Sequence, residues 1–217
     1  MIPLRDNIAS RTFPITNYAL IGANLLCFLY QLSLGPHLER FVLAWGMVPA
    51  QVLGSHGGMR LAGFTTVITS MFLHAGWLHF LGNMLYLYIF GDNVEDRMGH
   101  FRYLLFYLLC GICAAAAQLW SAPGTRIPMV GASGAIAGVM GAYFCLYPRA
   151  RIVMLVFLFI FIDFVEVPAF FFLAFWFLLQ FLSGALSSSA QGGVAWWAHI
   201  GGFAGGIVLL PFFKRRR

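Results

Sequence analysis

The chain has 217 residues, of which 61% are hydrophobic and only 9% are charged, whereas ordinary soluble domains carry about 25% charged residues. This composition excludes a soluble enzyme and predicts an integral membrane protein. The net charge of +6 does not indicate a nucleic-acid partner, because the Lys and Arg residues cluster at the ends of the apolar segments rather than in a basic stripe.

Six apolar segments are long enough to cross a bilayer, which takes about 17 to 25 residues in a helix. They predict an all-α fold, a polytopic bundle of six transmembrane helices in a single membrane domain that spans residues 1–217. Within that domain, residues 1–15 form a short cytoplasmic segment and residues 214–217 form a basic tail. The predicted helices lie at about 16–34, 77–93, 101–120, 132–148, 168–183 and 196–213.

Two connecting segments are longer than simple turns. Residues 35–76 follow the first helix and carry Trp45 and Phe64, so we expect part of this external loop to lie in the membrane interface. The apolar run 152–162 is too short to cross the membrane, and a re-entrant element, a hairpin and a longer helix all remain open for it. Pro168 fits the first turn of the fifth helix, where its missing N–H needs no partner.

The basic residues predict the orientation in the membrane. Most of the 13 Lys and Arg residues lie on one side of the predicted bundle, and only Arg40, Arg60 and Arg126 lie on the other. By the positive-inside rule, both termini are cytoplasmic. The amino-terminal sequence shows no cleavable signal peptide or transit peptide, so we expect a multi-pass protein of the plasma membrane.

An unpartnered polar group within an apolar segment is costly, and four of the polar side chains in these segments are informative. His79 and Asn83 are four residues apart and share one face of the second helix. Ser133 lies near the start of the fourth helix, and His199 lies near the start of the sixth. Since these three helices all enter the membrane from the external side, the four side chains should lie at a similar depth.

Small residues recur every four positions in the fourth helix and again in the sixth, and such patterns let membrane helices approach closely. This approach would bring Ser133 Oγ within hydrogen-bond reach of His199. The two sets are Gly134, Gly138 and Ala142 in the fourth helix, and Ala198, Gly202 and Gly206 in the sixth.

An imidazole beside a serine hydroxyl can act as the base that activates a nucleophile. We predict that Ser133 and His199 form a catalytic dyad rather than a triad, because every carboxylate maps to the inner half of the bundle or to a loop. The side chains of His79 and Asn83 and the backbone N–H of Ser133 would stabilise the oxyanion. We predict no cofactor and no metal, since a metal site needs three or four convergent ligands.

In their order along the chain, four motifs resemble those of the rhomboid family of intramembrane serine proteases. They are HAGWLHFLGN in the second helix, GDNVEDRMG at its end, the nucleophile motif GASG and the base motif AHIGGFAGG. The resemblance implies a rhomboid-like bundle that cleaves single-pass or polytopic transmembrane proteins near small residues. It also implies that the substrate enters from the lipid beside the second and fifth helices, with the Phe-rich fifth helix as gate and the loop at about 184–195 as cap.

One position departs from the family pattern. Some members carry a tyrosine one turn after the serine, where it packs on the catalytic histidine, whereas this chain has Ala137. Another residue must therefore hold the ring, or the ring is less restrained.

Two other functions remain open. A catalytically silent relative would bind transmembrane clients, but such a protein has no need of both Ser133 and His199. A transporter would be expected to carry internal repeats or broken helices, and the sequence shows neither convincingly. The oligomeric state is not predicted.

Overall fold

The computed structural model describes residues 2–53, 61–158, 161–186 and 194–215. In these residues the chain folds into long helices, several short helices and a small antiparallel sheet. The elements in chain order are β1 (Ile2–Asp6), α1 (Ile15–Ser33), α2 (Leu38–Trp45), α3 (Pro49–Leu53), α4 (Leu61–Thr69), α5 (Trp77–Met98), α6 (His100–Ser121), α7 (Ser133–Leu146), β2 (Arg151–Leu158), β3 (Phe161–Pro168), α8 (Ala169–Leu186) and α9 (Trp196–Phe213).

A helix is present at each of the six predicted segments, and the polytopic helical fold of a membrane protein is confirmed. By length and composition, four of the described helices can each cross a membrane, namely α1, α6, α8 and α9. A fifth candidate is the pair formed by Gly63–Phe72 and α5, which is bent by 83°. Helix α7 has 14 residues and rises about 20 Å, less than the hydrocarbon core of about 30 Å. The count of six spans stays a prediction.

Helix α7 lies at the centre of the bundle. Its residues from Gly134 to Tyr143 are all buried, and it packs against α5, α6 and α9. The predicted close approach of α7 and α9 is confirmed. A methyl group added to Gly202 would lie 2.0 Å from the carbonyl oxygen of Gly134, and one added to Gly206 would lie 2.0 Å from that of Gly138. This approach brings the start of α9 alongside the start of α7.

Helix α5 extends past its predicted end at about residue 93, because the carboxylates of its last turns have partners. Glu95 is fully buried and accepts hydrogen bonds from the backbone N–H groups of Thr16 (2.9 Å) and Asn17 (2.7 Å) at the start of α1. Asp96 accepts hydrogen bonds from the backbone N–H and the hydroxyl of Thr12 (3.2 and 2.9 Å). Since a negative group stabilises a helix amino terminus, these carboxylates fix the amino-terminal segment to the end of α5.

Strand β1 is held at the same end of the bundle. Asp6 accepts hydrogen bonds from Asn93 Nδ2 (3.0 Å) and from Tyr143 Oη. The pKa of Asp6 is raised to about 6, mainly by burial, with the Tyr143 bond opposing the rise and the Asp92 carboxylate adding to it. Strand β1 is thus attached to α5 and α7 as well as to the sheet.

The apolar run 152–162 belongs to a β-hairpin, one of the three possibilities that the sequence left open. Strand β2 pairs antiparallel with both β1 and β3, which gives the order β1-β2-β3. Pro168 pairs with Arg151 as the last residue of β3, and α8 begins at Ala169. The predicted place of Pro168 in the first turn of the helix is therefore wrong by one residue. Residues 159 and 160 lie outside the described residues.

The region 35–76 is not a simple loop. It contains α2, α3 and α4, and α4 leads through a short 3₁₀ turn, Ser70–Phe72, towards α5. The 3₁₀ turn also supports the site, because the carbonyl oxygen of Ser70 accepts a hydrogen bond from the backbone N–H of Gly131 (2.9 Å). The position of this region in the membrane interface stays a prediction.

Candidate active site

The four predicted polar residues come together at one end of the bundle. His79 and Asn83 lie in the first two turns of α5, Ser133 is the first residue of α7, and His199 lies in the first turn of α9. All four line one cavity of about 720 Å³. The cavity is large enough for water and for a short stretch of peptide.

Ser133 and His199 form a hydrogen-bonded pair. Ser133 Oγ lies 2.8 Å from His199 Nε2, a distance at which the hydroxyl donates to an unprotonated ring nitrogen. Ser133 begins α7, so its backbone N–H has no partner within the helix. A base in contact with a hydroxyl is the arrangement that activates serine as a nucleophile.

His79 and Asn83 present hydrogen-bond donors near this pair. The backbone N–H of Ala75 lies 3.4 Å from His79 Nδ1, and a ring that accepts this bond carries its proton on Nε2 when neutral. Asn83 Nδ2 is buried and has no hydrogen-bond partner among the residues that the structure describes. Because an unpartnered buried amide is costly, this N–H is suited to a carbonyl oxygen that binds in the cavity.

Gly131 leaves room between the nucleophile and one of these donors. Its φ of +127° lies in a region that favours glycine. A methyl group at this position would lie 2.8 Å from His79 Nε2 and 3.5 Å from Ser133 Oγ. The space that glycine keeps open is therefore bounded by both side chains. The motif GASG contains this position, but its backbone conformation was not visible in the sequence.

The second ring nitrogen of His199 is also bound, by a residue that the sequence reasoning missed. His199 Nδ1 lies 2.7 Å from Oε1 of Gln180 on α8. Two tryptophan rings flank the imidazole, with centroid distances of 5.9 Å to Trp176 and 6.3 Å to Trp196. These contacts hold the ring in a chain that has Ala137 in place of a tyrosine. The sequence feature that could have identified Gln180 is its polar side chain within an otherwise apolar span.

His74 lies beside the site, in the turn just before α5, which begins at Trp77. The ring centroids of His74 and His79 are 5.3 Å apart. The backbone N–H and C=O of His74 both bond to the side chain of Gln31 (2.9 and 3.2 Å), which fixes the turn before α5. Within the described ranges, no three His, Cys, Asp or Glu side chains are grouped so that they could hold a metal ion.

Comparison with known proteins gives a consistent set of relatives. Rhomboid protein 1, mitochondrial, from Saccharomyces cerevisiae is 31% identical over 145 residues, which are 64% of this chain and 39% of that protein. Rhomboid protease GluP from Bacillus subtilis is 32% identical over 130 residues, 59% of this chain and 24% of that protein. Putative rhomboid protease YdcA from the same organism is 29% identical over 133 residues, 61% of this chain and 62% of that protein.

Each of these matches covers less than two thirds of the relative's own length. The family model of the rhomboid domain matches residues 62–216. The matched range is more than half of the chain and includes α5, α7 and α9, the helices that carry all four predicted site residues. The chain belongs to the rhomboid family.

Proposed function

We propose that this rhomboid protein is an intramembrane serine endopeptidase with a dyad of Ser133 and His199. The observation that carries the proposal is the 2.8 Å hydrogen bond between Ser133 Oγ and His199 Nε2, in a cavity that also contains two candidate oxyanion donors. Rhomboid proteins are generally intramembrane serine proteases, and the names of two relatives described above contain the word protease.

The reaction would proceed through an ester on the serine. His199 Nε2 takes the proton of Ser133 Oγ while that oxygen attacks the carbonyl carbon of the scissile peptide bond. The carbonyl oxygen becomes an oxyanion, which accepts hydrogen bonds from His79, Asn83 and the backbone N–H of Ser133. His199 then protonates the leaving amine as the C–N bond breaks. A water molecule gives a proton to His199 and attacks the ester, and His199 returns the proton to Ser133 Oγ.

The proposed substrates are transmembrane proteins whose scissile segment reaches the cavity from the lipid between α5 and α8. Phe172 of α8 lies 6.3 Å, between ring centroids, from Tyr86 and from Phe90 of α5, and Tyr86 also lines the cavity. These rings are candidates for the lateral closure of the site. The proposed cap falls largely on residues 187–193, which lie outside the described residues.

The distribution of basic residues supports an orientation with both termini in the cytoplasm and the cavity open to the external side. We place the protein in a plasma membrane. The name of the Saccharomyces cerevisiae relative contains the word mitochondrial, so a membrane of an organelle is the alternative location.

A serine-reactive, mechanism-based probe tests this function on the detergent-solubilised protein. We expect the wild type to be labelled, and the Ser133→Ala and His199→Ala variants to remain unlabelled. A label that persists in Ser133→Ala overturns the assignment of the nucleophile. A folded wild type that takes no label favours a catalytically silent protein that binds transmembrane clients.

Replacement of Asn83 by alanine is expected to lower kcat by about 10² to 10³, because one donor to the oxyanion is lost. Little effect on folding is expected, since Asn83 Nδ2 has no hydrogen-bond partner among the described residues. The measurement is the cleavage of a transmembrane substrate in micelles, with kcat and KM determined separately.

Asn24→Ala is the matched control for this variant. Asn24 is a fully buried amide of α1 whose Nδ2 donates to the carbonyl oxygen of Leu20 (2.8 Å), away from the cavity. Its loss should lower the melting temperature and leave kcat nearly unchanged. An equal loss of kcat in both variants would contradict the role of Asn83.

A further inference from the structure

Gln180 is a buried polar residue in an apolar helix. It is the only side chain with an amide or hydroxyl group between Ala169 and Leu182, and its exposed fraction is 6%. A polar group at such a place in a membrane helix is costly unless it is partnered. The partners of Gln180 therefore indicate what the residue does.

Both ends of the Gln180 amide are bound. Nε2 donates to the carbonyl oxygen of Trp176, one turn earlier in α8 (3.3 Å), and Oε1 lies 2.7 Å from His199 Nδ1. The bond to Trp176 assigns the orientation of the amide, because only the NH₂ group can donate to a carbonyl. Gln180 thus presents an acceptor to the imidazole, and the ring must carry a proton on Nδ1.

This acceptor selects the tautomer that the dyad requires. When the proton of the neutral ring is on Nδ1, Nε2 is unprotonated and accepts from Ser133 Oγ at 2.8 Å. In serine proteases with a triad, a carboxylate has this orienting role. The amide here orients the ring without adding a negative charge.

The contacts that orient His199 come largely from α8. Trp176 and Gln180 are four residues apart and so share one helix face, and both contact the imidazole ring. Helix α8 packs on α9 near Gly184, where an added methyl group would lie 3.2 Å from Trp196 Cβ. The alignment of the ring therefore depends on where α8 lies relative to α9.

We propose that Gln180 is a positioning residue for His199, and that the catalytic pair is aligned only when α8 is seated against α9. This inference rests on the proposed function for its effect on turnover, but the contact itself can be tested without turnover. Helix α8 also borders the lipid-facing side of the cavity, where a substrate would enter. The alignment of the His199 base therefore depends on the position of this helix.

The first readout is the ring proton of His199. In protein with ¹⁵N-labelled histidine in micelles, we expect a slowly exchanging Nδ1–H signal that is absent from His199→Ala, which assigns it. Gln180→Ala should lose this signal, and Leu179→Ala, at an exposed position of the same helix, should keep it. A signal unchanged in Gln180→Ala overturns the proposal, whether or not the protein cleaves any substrate.

The second readout is the pH profile of cleavage. Gln180→Ala should lower kcat roughly tenfold to a hundredfold with little change in KM. Gln180→Glu should retain more of the rate, with the acid limb of its profile shifted to higher pH, because a carboxylate beside the ring favours the protonated imidazolium. A purely structural role would lower the melting temperature and leave the pH profile of both variants as in the wild type.

A wedge variant tests the dependence on α8. Gly184→Val adds bulk between α8 and α9 without touching the dyad, and it should weaken the Nδ1–H signal and lower kcat together, in a protein whose helix content is retained. A full signal and full turnover in this variant would show that the seating of α8 is not required.

Discussion

Replacement of Ser133 by alanine is expected to reduce cleavage of a transmembrane substrate to the background rate, a loss on the order of 10⁴ to 10⁶ in kcat. The hydroxyl that donates to His199 Nε2 at 2.8 Å is the group that would form the ester, and alanine offers no substitute. His199→Ala should cause a similar loss, because the serine hydroxyl is a weak nucleophile without its base.

The double variant Ser133→Ala/His199→Ala tests whether the two residues act as one catalytic unit or contribute independently to the rate. If Ser133 and His199 act together, the double variant should be no slower than either single variant. Ser33→Ala is a suitable control, since the hydroxyl of Ser33 on α1 donates locally, to the carbonyl oxygen of Tyr30 (2.7 Å). Cleavage at the wild-type rate by Ser133→Ala would refute the proposed chemistry.

Replacement of Gly202 by alanine is expected to reduce both stability and turnover. The new Cβ would lie 2.0 Å from the carbonyl oxygen of Gly134, and a backbone atom in a helix cannot rotate away from it. Overpacking of this kind costs about 1 to 3 kcal/mol, more than the gain of up to about 1 kcal/mol in helix propensity. Helices α7 and α9 must separate, and a misplacement of about 1 Å in a catalytic pair can cost about 10² in rate.

Gly22→Ala is the matched control for this variant. Gly22 also lies within a helix, α1, but no atom lies within 4 Å of an added Cβ among the described residues. The gain in helix propensity should therefore appear alone, as an unchanged or slightly raised melting temperature with normal kcat. Thermal unfolding in micelles and the cleavage assay together make the comparison. Full activity in Gly202→Ala would mean that the spacing of α7 and α9 does not set the geometry of the dyad.

The long helices could be predicted because their apolar runs are continuous and their length is fixed by the bilayer. Their exact ends depend on contacts that are distant in sequence. Helix α5 continues to Met98 because Glu95 binds the start of α1. The hairpin that contains most of residues 152–162 could not be chosen from the run itself, since a short apolar run fits a strand and a buried helix equally. Its pairing with β1 joins residues that are far apart in the sequence, so no local pattern predicts it.

The candidate site could be predicted as far as its residues are polar and lie at equivalent depths. His79, Asn83, Ser133 and His199 meet these two conditions and line one cavity. Gln180 escaped because the aromatic residues around it are typical of a lipid-facing helix, and its contact with His199 depends on how α8 packs on α9. Because the bilayer interior is apolar, an apolar helix face can contact either lipid or protein. The sequence of the helix alone does not show which of the two it contacts.

The sheet has a consequence for synthesis of the chain. Ile2 of β1 pairs with Leu155 of β2, so the first strand leaves the ribosome long before its partner exists. At a translation rate of about 5 to 20 residues per second, the wait is roughly 8 to 30 s. During that time the edge of β1 is unpaired, and an unpaired strand edge can pair with a non-native strand. Strand β1 thus stays without its strand partner while α1 to α7 are synthesised.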